Sequence, residues 1–142
     1  MDMLYKDLSE NERHMLLEFP AYVSLLAANA DGHMSDKEKQ KAISITHMKT
    51  YSCDPLLTPF YKDADKVFME NIDRLDAVLP KTKKEREEAI KASLNELEPL
   101  LNKLGKDYSW TMRQSMKSYA QHVSKVHGNV LVSFLIPFIN WD

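Results

Sequence analysis

SENERHMLLEFPAYVSLLAANA, residues 9–30, opens on a Ser-x-x-Glu pair and then places apolar side chains at helical period. Ser9 and Glu12 have the spacing of a capping box, in which each side chain satisfies a free backbone N–H of the other residue. Met15, Leu16, Phe19, Tyr22, Val23, Leu26, Ala27 and Ala30 follow on one helix face. Pro20 interrupts the run without shifting its phase, so a kink or two abutting helices is expected there.

Working outward, Ser35 with Glu38 makes a second capping box before Ala42, Ile45, Thr46 and Met48. Asp54-Pro55 starts a third element, with proline at the first helical position and an apolar stripe of Phe60, Ala64, Val67, Phe68, Ile72, Leu75 and Leu79. After Pro80, Thr82 and Glu85 form another box. Ile90, Leu94, Leu97, Leu101 and Leu104 then make a heptad-like seam that Pro99 should bend and Gly105 should close. Asp107 opens the last long helix, with Met112, Ser115, Met116, Tyr119 and Val123 facing inward. Val130, Leu131, Phe134, Leu135 and Phe138 are expected to be buried against the bundle or a partner subunit. No segment alternates as a half-exposed strand does. The expectation is an all-α, compact multi-helix bundle, one helical domain over residues 1–142.

Composition agrees. Of 142 residues 44% are hydrophobic and 28% charged, with three glycines, which is ordinary for a globular helical chain. A net charge of −2 with interspersed signs leaves no footprint for nucleic acid and no polybasic membrane patch. The longest apolar run, Val130 to Ile139, would span about half a bilayer core as helix, so no membrane span is expected. Met1 to Lys6 lacks a basic start followed by an apolar run, and Cys53 has no partner for a disulfide, so a cytoplasmic setting is expected.

The segment 27–38 aligns in its second half with a calcium loop. Asn29 falls at the third position, Asp31 at the fifth, Gly32 at the turning sixth, Ser35 at the ninth and Glu38 at the twelfth. Ala27 stands where a leading carboxylate belongs, and Asp36 is nearby but off a ligand position. Calcium or magnesium would find about four protein oxygens where six or more are wanted, so binding should be weak. The same residues also serve a turn and a helix cap without any metal.

The run from Phe19 to Gly32, followed by Ser35-x-x-Glu38, resembles the tellurite-resistance TerB-like family over about residues 15–50. In that family an apolar helix enters an Ala-Asp-Gly turn and an acidic helix follows. The resemblance implies an all-helical, non-catalytic module, associated with metal or chemical stress response, that binds divalent cations through clustered carboxylates. On it Asp31 and Glu38 carry over as metal positions, with Asp36 beside them. The chain departs from the pattern in having no carboxylate at Ala27 or Ala28, and tellurite itself is not implied. Partnership with another protein or self-association fits such an assembly module.

An alternative is a metal-dependent enzyme or small-molecule-binding bundle built on His47, His122, His127 and Tyr119. His122 and His127 are five residues apart, where a zinc pair on one helix wants three or four. No nucleophile elbow, phosphate loop or His-Glu-x-x-His occurs, and no catalytic residue is assigned. The run Glu85-Arg86-Glu87-Glu88 reads as a solvated helix face.

Overall fold

The computed structural model describes residues 3–28 and 34–123. They form seven helices, α1 (Glu10–Leu17), α2 (Phe19–Ala28), α3 (Asp36–Ser52), α4 (Thr58–Val78), α5 (Lys83–Asn95), α6 (Glu98–Lys103) and α7 (Lys106–Val123). Short 3-10 turns at Tyr5–Asp7 and Pro55–Leu57 precede α1 and α4, and the described residues contain no strand. The chain is an all-α helical bundle. The expectation for Val130 to Phe138 lies outside the described residues.

Local chemistry accounts for most boundaries. Ser9 Oγ accepts the Glu12 N–H at 3.1 Å while the Ser9 N–H donates to Glu12 Oε1 at 2.9 Å. Ser35 and Glu38 repeat both contacts at the same distances. Thr82 differs: its hydroxyl accepts the Glu85 N–H at 3.4 Å but donates to the Glu85 carboxylate at 2.8 Å, a side-chain pair in place of the return contact. Asp54 Oδ1 accepts the Leu56 N–H at 2.9 Å, so the capped element there is a 3-10 turn that leads into α4.

Proline sets the breaks. A proline ring clashes with the carbonyl four residues earlier and donates nothing to it. Pro99 therefore ends α5 at Asn95, and Pro99 itself sits in the first turn of α6, where no donor is needed. Pro20 likewise separates α1 from α2, giving two abutting helices. Gly105, at φ 92°, makes the left-handed turn between α6 and α7 that a side chain would penalise.

Helix α2 is the centre of the fold. Every residue in it except Tyr22 is buried, including Ala21, Leu25 and Ala28, which the one-face spacing does not include. It packs against α1, α3, α4, α5 and α7. A helix apolar on all sides has to be enclosed by its neighbours. Helix α3 lies at the opposite extreme, burying only Ala42 and Thr46, while Met48 is 62% exposed. The α4 stripe and the Ile90–Leu104 seam are buried as their spacing predicts, Val67 alone being half-buried.

Leu26→Ala, in the middle of α2, should lower unfolding free energy by about 2–5 kcal/mol, whereas Met69→Ala on the exposed side of α4 should change it by less than about 0.5 kcal/mol. Urea denaturation of both variants checks the contrast.

Candidate functional site

The segment between α2 and α3 is flanked by two buried residues, Ala28 and Met34, 4% and 1% exposed. Asn29, Asp31 and Gly32 lie between them, outside the described residues. Ser35 and Asp36 are exposed at the start of α3, and Glu38 is half-buried one turn further on. Both Ser35 Oγ and Glu38 Oε1 are engaged in the capping box.

The exit of the turn is held by a residue that the motif does not contain. Asp76, near the end of α4, accepts the Met34 N–H on its two carboxylate oxygens at 3.1 and 3.3 Å. The same carboxylate is paired with the buried guanidinium of Arg86 from α5, and Lys39 Nζ of α3 stands 3.2 Å from Oδ2. The Asp76 carbonyl accepts Lys81 Nζ at 2.9 Å. One nearly buried carboxylate thus ties the start of α3, the end of α4 and the first turns of α5 together. Partial burial pulls the Lys39 ammonium down, but Asp73 and Asp76 outweigh it and hold its pKa above the ordinary lysine value.

Arg86 corrects the reading of Glu85–Glu88 as a wholly solvated face. It is 1% exposed, because it lies four residues before Ile90 and so continues the buried seam. Asp76 was equally readable: it falls four residues after Ile72 and three before Leu79, on the apolar stripe of α4. A charge on each of two buried faces is the signal of a pair, though spacing alone does not say that the two meet.

The histidines are placed separately. His47, exposed on α3, has Nδ1 2.9 Å from Asp65 Oδ2 and stacks edge-on with Tyr51. His122, exposed on α7, has Nδ1 2.8 Å from the Ser118 carbonyl. His127 lies outside the described residues. Tyr119 points the other way, into the core, at 0% exposure. Its hydroxyl lies 2.8 Å from Ser24 Oγ and 2.6 Å from Thr46 Oγ1, and those hydroxyls also donate to the carbonyls of Pro20 and Ala42. The result is a polar chain linking α2, α3 and α7, closed to solvent. Among the described residues no three His, Cys, Asp or Glu side chains are grouped to hold a metal ion, and no helix is long and apolar enough to cross a membrane.

Burial raises the phenol pKa of Tyr119 above the ordinary range, against the hydrogen bonds of Ser24 and Thr46, and does the same to Tyr61, Tyr108 and Tyr5. A folded-state pKa above the unfolded value of about 10 gives stability that is complete below that pH and lost as pH rises beyond it. Absorbance at alkaline pH should therefore show these four phenols ionising together with unfolding, above the unfolded-state value of about 10. Arg86→Met should cost about 3 kcal/mol, the lower end for a broken buried pair because Lys39 still faces Asp76, and urea denaturation measures it.

The sequence matches no known family model, and comparison with characterised proteins and with solved structures gives no match to either.

Proposed function

We propose that the protein is a non-catalytic, TerB-like helical module of the cytoplasm whose Asp31–Gly32 turn binds a divalent cation weakly and acts in stress-related assembly. The observation that carries this reading is the anchoring of the turn at both ends, with Ala28 in the core and the Met34 N–H on the Asp76 carboxylate. Fixing the residues on either side of a short segment lowers the conformational cost of closing it on an ion. Asp31 and Glu38 are the carboxylate ligands of this site, with Asn29, Ser35 and backbone carbonyls as neutral oxygens and Asp36 as a nearby charge.

The capping box limits the affinity. Ser35 Oγ already accepts the Glu38 N–H, and Glu38 Oε1 already accepts the Ser35 N–H. A cation has to share or displace these contacts, and Ala27 offers it no leading carboxylate. The dissociation constant is therefore no tighter than about 10⁻⁴ M, the weak end for oxygen-ligand loops. At one hundred times that concentration, calcium or magnesium should stabilise the fold by about 2.7 kcal/mol.

Melting curves of the wild type and Asp31→Asn across millimolar calcium and magnesium test the proposal. A rise in melting temperature with cation that disappears in the variant supports it. No rise in the wild type reduces the segment to a capped turn and removes the cation from the function.

A further inference from the structure

Helix α3 carries two partly buried lysines whose surroundings act on them in opposite directions. Lys39, near its start, faces Asp73 and Asp76, which keep it charged. Lys49, near its end, takes part in no ion pair among the described residues. Its Nζ donates instead to Ser118 Oγ of α7 at 3.1 Å. Burial pulls the Lys49 ammonium below the ordinary lysine value, against the Coulomb attraction of Cys53. A carboxylate fixes a lysine as the ammonium, whereas a neutral hydroxyl orients one N–H and lets the nitrogen give up a proton and present its lone pair. A lysine desolvated in this way is an activated nucleophile.

A second nucleophile stands beside it. Cys53 is half-buried and caps the end of α3, and its N–H donates to the Lys49 carbonyl at 3.0 Å. That bond keeps the two residues in the i, i+4 relation, where side chains are neighbours on one helix face. Sulfur is the better nucleophile toward an acyl thioester, and nitrogen makes the more stable acyl product. Proximity turns the second encounter into an intramolecular one, which raises its rate by orders of magnitude. The amide that results carries no charge, so it suits a half-buried position without a carboxylate better than an ammonium does.

We propose that Lys49 is a self-acylation site, at which Cys53 takes a small acyl group from a low-molecular-weight thioester and passes it to the Lys49 amine. The Cys53 thiolate attacks the carbonyl carbon of the donor, whose carbon–sulfur bond breaks as the donor leaves as its own thiolate. The Lys49 lone pair then attacks the new Cys53 thioester. A carbon–nitrogen bond forms, the bond to Cys53 breaks, and the proton shed by nitrogen passes to the Cys53 sulfur. Ser118 positions the amine. The reaction leaves an amide and a free thiol, with nothing oxidised or reduced. Ser35 and Glu38 open the same helix, so the cation reading and this one stand or fall separately.

The full chain incubated with S-acetyl-N-acetylcysteamine, digested and mapped by mass spectrometry, tests the proposal. Lys49 should be acetylated about tenfold or more faster than the exposed Lys66. Cys53→Ser should bring Lys49 down to the rate of Lys66, while Ser118→Ala should slow Lys49 and leave acetyl on Cys53. Acetic anhydride, which amines attack directly, should label Lys49 equally in the wild type and Cys53→Ser, showing that the variant is folded and its amine accessible. Lys49 labelled by the thioester no faster than Lys66, or as fast in Cys53→Ser as in the wild type, overturns the proposal. Acetyl that stays on Cys53 of the wild type overturns it as well.

Discussion

Helix α2 has almost no face to give to water, and the other helices are arranged to meet that constraint. Nine of its ten residues are buried, so it can exist only as the axis of a bundle. Neighbours come from both sides in sequence, with α1 before it and α3, α4, α5 and α7 after it. Its buried hydroxyl, on Ser24, would be costly to bury alone. It is satisfied by the Pro20 carbonyl and by Tyr119, and through Tyr119 it reaches Thr46. The polar group inside the apolar axis thereby sets the register of α2 against α3 and α7, which packing of alanine and leucine alone leaves less defined.

The two ends of the bundle have different chemistry. At one end Asp76 gathers Arg86, Lys39 and the Met34 N–H. A buried ion pair contributes little net stability against an apolar replacement, because desolvation consumes much of the Coulomb gain. What it supplies here is geometry: three chain segments are oriented by one carboxylate. At the other end a groove beside Leu4 and Leu56 is apolar, with single charges on its walls.

Much of the fold was legible from the residues. Capping boxes at Ser9 and Ser35, the stop at Gly105 and the breaks imposed by Pro20 and Pro99 depend on chemistry within four residues, so sequence order alone specifies them. The α4 stripe and the Ile90–Leu104 seam were readable for the same reason, since spacing decides which side chains share a helix face. Less of the candidate site was legible. Asp31, Ser35 and Glu38 follow from the motif, but Asp76, which holds the exit of the turn, is 42 residues away from Met34 in the chain. Met48 has helical spacing yet is exposed, because spacing identifies a face without saying whether another helix will cover it.

By itself, then, the sequence determined the helices, their ends and the apolar faces, all consequences of backbone hydrogen bonding and side-chain period over short range. Only the tertiary structure decided that α2 is enclosed on every side, that Arg86 and Asp76 meet, that Tyr119 is locked to Ser24 and Thr46, and that Leu4 and Leu56 share one groove. Each of those outcomes joins residues from different helices, and such pairings arise from burying the whole apolar surface at once rather than from any local preference.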